Sequence, residues 1–301
     1  MVKIAVIGSL NMDLVVQAPS LPGVGETLLG GPFGSFPGGK GGNQAVAAAR
    51  LGAEVTMIGA VGRDDFAGVL GAALVEAKVT PRLQTVAAAT GIALVTTAPG
   101  GDNTIVVVPG ANASLDPAFV EAETESIAAA DMVVLQLEAS LAAVATGVRI
   151  AKKKDRRVLL NAAPAQALDD ALLRQVAVLI VNRYEAKALV TVKGGKLEAL
   201  LQALRGRGPQ IVAITLGAEG AVACDGDEVC KQAGFKVDAI DAVAAGDAFT
   251  GALAVALAEG TALPGALRFA CAAGALTTLK RGAQASLPTR AEVEAFLAKQ
   301  K

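Results

Sequence analysis

Short apolar runs alternate along this chain with longer Ala-rich stretches whose apolar positions recur every three or four residues. The apolar runs predict strands buried on both faces, and the longer stretches predict helices. This alternation indicates an α/β fold, in which a mainly parallel sheet lies between layers of helices. The predicted strands cover residues 2–7, 55–58, 132–137, 158–160, 176–181 and 211–215, and the predicted helices cover residues 43–51, 65–77, 117–130, 141–153 and 196–205.

Two segments interrupt this alternation. Residues 14–17 with 26–30, and residues 91–97 with 104–108, have the pattern of hairpin strands joined by turns rich in Pro and Gly. They predict either a small lid sheet over the strand ends or ordinary edge strands, and the pattern leaves both open. From Gly246 onward the chain has an almost entirely helical pattern.

The composition excludes several classes of function. The chain has 301 residues, of which 53% are hydrophobic and only 18% are charged, and its net charge is −1. Such a balance favours binding to neither nucleic acid nor an anionic membrane, since both need basic patches. Gly, Pro or a charge interrupts every apolar stretch short of a bilayer span, and the N-terminal residues lack the pattern of a signal peptide. We therefore expect a cytoplasmic protein.

The absence of histidine restricts the possible chemistry further. Ser-His-Asp and Cys-His catalysis are excluded, as are His-ligated zinc sites. The chain has three cysteines, too few for a four-cysteine metal site. Any general base must therefore be a carboxylate, a lysine, a cysteine or the single tyrosine, Tyr184.

Residues 241–251, DAVAAGDAFTG, contain the most informative candidate site. A strand-like run at residues 235–240 leads into small residues, and an apolar helix begins at Asp247. Small residues leave backbone N–H groups exposed at a helix N-terminus, where the helix dipole favours phosphate oxygens. A carboxylate in the same turn can take a proton from an alcohol that attacks a phosphate. Considered alone, Asp247 is also a favoured helix N-cap.

Residues 37–44, PGGKGGNQ, form the second candidate site. Glycines on both sides of Lys40 let the backbone approach a polar ligand closely. Residues 34–40 match the start of a Walker A motif, but Gly41 stands where that motif needs Ser or Thr to bind Mg²⁺, so this interpretation fails. An NAD-dependent oxidoreductase is also disfavoured, because residues 8–13 lack the glycine pattern of a dinucleotide-binding turn.

The segments GGKGGNQAVAAARLGA, from residue 38, and AAGDAFTGAL, from residue 244, resemble the two signatures of the ribokinase (PfkB) family of carbohydrate kinases. Further motifs continue the resemblance in the expected order over nearly the whole chain. This resemblance implies a three-layer α/β/α sandwich with a mainly parallel sheet, formed as one domain by residues 1–301. It also implies lid strands at about 13–36 and 91–108, and a homodimer formed through them. The further motifs are GSLNMD from residue 8, PGANAS from 109, QLE from 136, NAAPA from 161, TLGAEG from 215 and GAQAS from 282.

The resemblance implies roles for particular residues. Asp247 matches the catalytic base, and the backbone of Ala244, Ala245 and Gly246 matches the anion hole beside it. Asn182 and Glu185 match a motif linked to Mg²⁺ and phosphate. The remaining implied ligands are Asn11, Asp13, Gly39, Lys40, Asn43, Glu138 and Asp247 for D-ribose; Asn182, Thr215, Gly217, Gly220, Gly246 and Cys271 for the nucleotide; and Asp241, Val243, Thr277, Lys280, Gly282 and Ser286 for K⁺.

The implied reaction is phosphorylation of D-ribose at its 5-hydroxyl group by ATP, with Mg²⁺ and K⁺ as cofactors. The same chemistry on 2-deoxyribose, fructose or a nucleoside stays open, as does a non-catalytic sugar sensor. A nucleoside needs apolar or aromatic walls for its base, and the chain has only eight Phe and one Tyr. The sequence departs from the family pattern where Val181 replaces Pro, Tyr184 replaces Thr and Cys271 replaces a His that lies against adenine. These departures concern nucleotide contacts.

Overall fold

A computed structural model describes residues 1–99, 103–192 and 196–300 of the chain. Within these residues, no helix combines the length and the apolar character needed to cross a membrane. The strands are β1 (Lys3–Ile7), β2 (Asn11–Gln17), β3 (Phe33–Gly38), β4 (Glu54–Val61), β5 (Val79–Thr85), β6 (Gly91–Thr97), β7 (Asn103–Val108), β8 (Met132–Leu135), β9 (Arg157–Asn161), β10 (Val178–Asn182), β11 (Ile211–Thr215), β12 (Gly220–Asp225) and β13 (Glu228–Ala233). The helices are α1 (Lys40–Arg50), α2 (Asp65–Glu76), α3 (Pro117–Ala122), α4 (Thr124–Ala128), α5 (Leu141–Lys153), α6 (Asp170–Leu173), α7 (Arg183–Leu189), α8 (Leu197–Arg205), α9 (Ala245–Ala258), α10 (Leu263–Thr277), α11 (Ala283–Ser286) and α12 (Arg290–Lys299).

The main sheet contains nine strands in the order β13-β12-β11-β10-β9-β8-β1-β4-β5. Neighbouring strands from β11 to β5 pair in parallel, and β12 runs antiparallel to both of its neighbours. The prediction of a mainly parallel sheet is therefore confirmed. The carboxyl ends of its parallel strands meet at one edge, which is where ligands bind in folds of this kind.

Strand β1 illustrates why helices cover both faces of this sheet. Ile4 and Val6 belong to a core formed with α1, α9 and α10, whereas Ala5 and Ile7 belong to a second core formed with α5 and α8. Side chains alternate between the two faces of a strand, so a strand that is apolar throughout must be covered on both sides. The predicted three-layer α/β/α arrangement is confirmed.

A second sheet of four strands has the order β3-β2-β6-β7. Strand β2 pairs in parallel with β6 and antiparallel with β3, and β6 pairs antiparallel with β7. Residues 14–17, 91–97 and 104–108, which interrupt the sequence alternation, lie in β2, β6 and β7 of this second sheet, so they are not edge strands of the main sheet. Residues 100–102, which belong to the turn predicted between β6 and β7, lie outside the described residues.

The strand predicted at residues 26–30 is wrong. Residues 33–38 form the strand instead, with Gly38 opposite Asn11 in the antiparallel pair of β2 and β3. This register brings the chain directly to the start of α1 at Lys40. Strand β3 tolerates Pro37 because it lies at the edge of the second sheet, where a missing N–H donor costs little.

Two other predicted elements differ in the structure. Residues 235–240 are not a strand, because the N–H groups of Ile240 and Asp241 donate to the carbonyl oxygen of Thr278 and not to a neighbouring strand. The single helix predicted at 117–130 is divided into α3 and α4. At the division the hydroxyl group of Thr124 donates to the Glu121 carbonyl oxygen at 2.6 Å, and such a bond competes with the helix ladder.

Strands β5, β12 and β13 were not predicted. Pro81 argues against a strand in the sequence pattern of β5, since proline lacks an N–H donor. It is compatible with the strand because β5 is an edge strand of the main sheet. Strands β12 and β13 are joined by a two-residue turn, Gly226-Asp227, with Gly226 at a φ of 57°. A Gly-Asp pair between two β-type runs is a hairpin signal, so the sequence did contain this information.

Helices α1 and α9 approach each other unusually closely at Gly251. A Cβ atom added at Gly251 would lie 2.8 Å from the Cβ atom of Ala47 and 3.0 Å from the carbonyl oxygen of Gln44. Real side-chain atoms do not come this close, so the two helices require glycine at this position. This contact places the N-terminal half of α1 beside the first turn of α9.

We predict that Gly251→Val lowers the free energy of unfolding by about 1–3 kcal/mol, because the added side chain overpacks this crossing. Urea unfolding would measure the change. The matched control is Gly71→Ala in α2, where an added Cβ atom meets no atom of the described residues within 4 Å. The control should gain about 0.5–1 kcal/mol from helix propensity. Equal stability of Gly251→Val and the unaltered protein would show that the close approach imposes no constraint.

Candidate active site

The N-terminal turn of α9 is open to solvent. Ala244, which precedes the helix, has a left-handed backbone (φ 61°) and provides no side-chain cap. Gly246 is exposed, and a Cβ atom added there would meet no described atom within 4 Å. Uncapped N–H groups and the helix dipole together attract anions. Within this turn the Ala245 N–H group donates to the carbonyl oxygen of Ala242 at 3.3 Å, and Gly246 is the residue most open to solvent. The backbone of Ala244, Ala245 and Gly246 stays the predicted anion hole.

Asp247 lies in this turn and is only 7% exposed. Its carboxylate accepts hydrogen bonds from two side-chain amides of α1: Asn43 Nδ2 lies 2.9 Å from Oδ2, and Gln44 Nε2 lies 2.9 Å from Oδ1. The N-cap position of α9 belongs to Ala244, so the alternative that Asp247 caps the helix is wrong. The carboxylate is instead oriented by α1, beside the open turn.

Asn43 has one more property relevant to ligand binding. Its Nδ2 atom donates to Asp247, whereas its Oδ1 atom is buried and has no hydrogen-bond partner among the described residues. Buried polar atoms without a partner are rare in folded proteins and call for a specific explanation. A ligand hydroxyl group beside Asp247 would supply the missing donor.

The glycines before α1 bring several predicted sugar ligands together. Gly39 has a φ of 83°, and a Cβ atom there would lie 2.6 Å from the backbone nitrogen of Asn11. The backbone N–H group of Lys40 donates to Glu138 Oε2 at 3.1 Å, and the same oxygen accepts a hydrogen bond from Ser9 Oγ at 2.6 Å. The start of α1 therefore lies between the segment after β1 and the segment after β8.

The charges of this cluster affect one another strongly. Burial, together with the nearby carboxylates of Glu138 and Asp247, raises the pKa of Asp13 from 3.8 to about 7. Burial acts to lower the pKa of Lys40, but the surrounding carboxylates, led by Asp247 and Glu138, outweigh it and raise that pKa above its ordinary value. Lys40 therefore stays a cation and offsets part of the negative charge.

Asn112 was not predicted as part of the site, although it lies in one of the quoted motifs. It is buried, and its Nδ2 atom donates to the side-chain oxygen of Asn11 at 2.8 Å. Its orientation is fixed by two hydrogen bonds with the backbone of Leu10. Asn112 therefore orients the amide of Asn11. Other side chains that the sequence analysis missed here are Ser9, Gln44, Gln136 and Asn161, because their roles arise from contacts between distant segments.

Asn182 and Glu185 form a capping box at the start of α7. Asn182 Oδ1 accepts a hydrogen bond from the Glu185 N–H group at 2.8 Å, and Glu185 Oε2 accepts one from the Asn182 N–H group at 2.7 Å. Burial raises the pKa of Glu185, and the hydrogen bond from the Asn182 N–H group and the charge of Lys40 partly oppose this effect. Glu185 therefore lies close enough to Lys40 to share its electrostatic environment.

The predicted nucleotide ligands begin at the carboxyl end of β11. Thr215 is paired with Asn182 across β10 and β11, which places these two predicted ligands side by side. Gly217 and Gly220 have positive φ angles of 61° and 99° and form the turn that leads into β12. Cys271 lies on α10, and burial raises the pKa of its thiol to about 12. The thiol is therefore neutral.

The residues predicted to bind K⁺ lie where a loop meets the end of α10. Asp241 Oδ1 accepts a hydrogen bond from the Val243 N–H group at 3.0 Å, and Asp241 Oδ2 accepts one from the Gly282 N–H group at 3.1 Å. The structure therefore brings these three residues together. The hydroxyl groups of Thr277 and Ser286 donate to carbonyl oxygens of their own helices, and Lys280 pairs with Glu292 at 3.1 Å.

A divalent ion would find few protein ligands here. The described part of the chain contains no group of three or more His, Cys, Asp or Glu side chains placed to hold a metal. Mg²⁺ keeps several waters and is commonly bound through one or two carboxylates together with substrate phosphates. The buried carboxylate of Glu185 fits this type of site.

Comparison with known proteins identifies the relatives of this chain. Residues 1–290 match the pfkB family of carbohydrate kinases. The ribokinase of Haemophilus influenzae is 39% identical over 299 residues, which cover 98% of this chain and 98% of that protein. All the sequence signatures quoted above lie within the matched range.

Two solved structures extend this similarity to the fold. The crystal structure of ribokinase from Thermotoga maritima superimposes with a TM-score of 0.90 at 32% identity, covering 99% of this chain and 100% of that one. The structure of Arabidopsis thaliana ribokinase complexed with ribose and ATP gives a TM-score of 0.91 at 29% identity, with 99% of each chain covered. The similarity therefore includes both sheets.

The raised pKa of Asp13 predicts a specific dependence of stability on pH. Asp13 loses its proton near its ordinary pKa of 3.8 in the unfolded chain but only near pH 7 in the folded protein. The unfolded state is therefore favoured progressively as the pH rises through this window. Asp13→Asn removes the effect, so its stability relative to the unaltered protein should increase between pH 5 and pH 8 by about 2–3 kcal/mol.

Urea unfolding at the two pH values would measure this difference. Asp155→Asn, in an exposed turn with a φ of 54°, is the matched control and should follow the unaltered protein at both pH values. A pH-independent effect of Asp13→Asn would contradict the assigned cause.

Proposed function

The chain belongs to the pfkB family of carbohydrate kinases, and we propose that it transfers the γ-phosphoryl group of ATP to the 5-hydroxyl group of D-ribose, giving ADP and D-ribose 5-phosphate. One observation carries this proposal. The Asp247 carboxylate, held by two amides, lies beside the uncapped N-terminal turn of a fourteen-residue helix. A proton acceptor and an anion-binding turn at one point are what phosphoryl transfer to an alcohol requires.

A small polyhydroxy acceptor suits the surroundings of Asp247. Asn43 has a buried oxygen that needs a donor, and Asp13 and Glu138 offer carboxylate oxygens nearby. Asn11 accepts a hydrogen bond from Asn112, which leaves its own Nδ2 atom to donate to a ligand. Lys40 and the turn at Gly39 complete this set. The alternation of donors and acceptors matches the hydroxyl groups of a pentose, and the similar ribokinase of Arabidopsis thaliana is complexed with ribose and ATP.

Asp247 takes the proton of the 5-hydroxyl group as that oxygen attacks the γ-phosphorus atom. The backbone N–H groups of Ala244, Ala245 and Gly246 bind the oxygens of the transferring group, and Lys40 balances their charge. We assign Glu185 and Asn182 to the site that would hold Mg²⁺, which when bound would neutralise charge on the phosphates. The enzyme residues thus orient the reactants and stabilise charge, and no covalent intermediate is needed.

We assign nucleotide binding to the edge of the main sheet that follows β10 and β11. Asn182 and Thr215 lie side by side there, and Gly217 and Gly220 turn the chain close to them. Cys271 contributes a small neutral surface from α10. We assign K⁺ to the junction formed by Asp241, Val243 and Gly282, together with the neighbouring Thr277, Lys280 and Ser286. A cation beside α9 would polarise the anion-binding turn.

The proposal predicts ribose-dependent release of ADP from MgATP, and a panel of acceptors tests it. Ribose should exceed 2-deoxyribose, fructose and adenosine in kcat/KM, and K⁺ should increase the rate. Activity confined to another acceptor would support the proposed phosphoryl transfer but show that ribose is not the substrate. A folded protein that binds ribose without any turnover would favour a sugar sensor.

Asp247→Asn tests the base in the same assay. The amide cannot accept the proton, so kcat should fall about 10²- to 10⁴-fold while ribose binding, measured by calorimetry, changes little. Asp155→Asn serves again as the control and should keep full activity, since it lies in an exposed turn. Near-normal turnover of Asp247→Asn would show that another group is the base.

We also propose that the whole chain forms one domain whose second sheet acts as a lid, and that two copies pair through this sheet. Strand β7 is an edge strand with every described residue exposed, and its run Ile105-Val106-Val107-Val108 is apolar. Exposed apolar edges favour pairing with another chain.

Light scattering at micromolar concentration should therefore give the mass of a dimer. Val106→Arg places a charge on the apolar edge and should shift the protein toward the monomer. Val229→Arg, at an exposed position of β13 on an edge of the main sheet, is the matched control and should stay dimeric. A monomeric mass for the unaltered protein would reject the pairing.

A further inference from the structure

A chain of buried side-chain amides lies behind Asp247. Gln136 Nε2 donates to Gln44 Oε1 at 2.7 Å, and Gln44 Nε2 donates both to Asn161 Oδ1 at 3.1 Å and to Asp247 Oδ1 at 2.9 Å. All three amide side chains are buried. Together they connect α1, the segment after β8 and the end of β9 to the carboxylate of α9.

The donor and acceptor ends of these amides are fixed by their neighbours. Asn161 Nδ2 donates to the carbonyl oxygen of Ile180 at 3.3 Å, so Asn161 presents its oxygen to Gln44. An ionised carboxylate can only accept hydrogen bonds, so Asp247 also requires a donor from Gln44. Both requirements are met when Gln44 Nε2 faces the oxygens of Asn161 and Asp247. Gln136 then donates to the remaining oxygen of Gln44.

We propose that Gln44 is a positioning residue, which holds the Asp247 carboxylate in the orientation that accepts the proton of the substrate. Asn43 and Gln44 bind different oxygens of the carboxylate, so together they prevent its rotation about the Cβ–Cγ bond. Gly251 keeps α1 close enough for both bonds to form. This inference rests on the proposed function, because it assigns Asp247 the role of base.

Gln44 and Asn43 differ in whether they have a hydrogen-bonding atom left for the substrate. Asn43 keeps a buried oxygen without a partner among the described residues, so it can also bind the substrate. Gln44 is only 1% exposed, and each of its side-chain atoms that can form hydrogen bonds already has a protein partner. Its loss should therefore affect the chemical step and leave sugar binding nearly unchanged.

Gln44→Met tests this inference, since methionine has a similar length and volume but no N–H donor. We expect kcat to fall on the order of 10- to 100-fold, as for the loss of a hydrogen bond to a charged group, and KM for the sugar to change less than about 3-fold. Calorimetry should give a nearly unchanged Kd for the sugar.

Gln136→Met is the matched control, because it disturbs the same buried amides without removing a contact to Asp247. Both variants should lose thermal stability, which a purely structural role also predicts. Only Gln44→Met should lose kcat beyond about 3-fold. Equal losses of kcat in the two variants, or full activity of a folded Gln44→Met, would overturn the inference.

Gln44→Leu provides a second variant that has no donor and is apolar, which suits a buried position. It should again lower kcat by about 10- to 100-fold, because the hydrogen bond to the Asp247 carboxylate is lost. A folded Gln44→Leu with unchanged kcat would overturn the inference.

All variants are compared on the acceptor that the unaltered protein phosphorylates with the highest kcat/KM, so a wrong assignment of ribose leaves the test intact. An unaltered protein inactive on every acceptor would reject the proposed function and the role of Gln44 together.

Discussion

The close packing of α1 against α9 at Gly251 is the constraint on which the site depends. Helix α1 carries Lys40, Asn43 and Gln44, and α9 carries Asp247, so the two amide–carboxylate bonds form only at this short distance. Gly251 therefore affects the hydrogen bonds of Asp247 without contacting its carboxylate. The close packing of the two helices fixes the orientation of the Asp247 carboxylate, because a rigid scaffold holds a reactive side chain in one position.

The charge arrangement of the site opposes stability. Asp13, Glu138 and Asp247 surround Lys40. Burial, together with repulsion from the other two carboxylates, raises the pKa of Asp13 to about 7. Burying like charges costs free energy that an apolar cluster would not cost. The large apolar cores on both faces of the main sheet offset this cost. The polar groups of this site therefore lower the stability of the fold. A bound ligand would donate a hydrogen bond to the unpaired oxygen of Asn43.

The predictability of the fold varied with the environment of each element. The central strands were predicted because apolar residues must fill both faces of a buried strand. Strand β3 was misplaced, since FGSFPG has two glycines and a proline and is accepted only at a sheet edge. The segment 235–240 has strand-like residues, but the carbonyl oxygen of Thr278 takes the N–H groups of Ile240 and Asp241. Local pattern does not encode such partners.

The sequence by itself determined the α/β class, the absence of histidine chemistry and, through its signatures, the family and the segments that form the site. It indicated Asp247 as a reactive carboxylate but not what holds it. Only the tertiary structure decided that Gln44, Gln136 and Asn161 lie behind this carboxylate and that Asn112 orients Asn11. The reason is physical. Periodicity records which face of an element is buried, whereas a hydrogen bond between residues about a hundred or more positions apart depends on how elements pack.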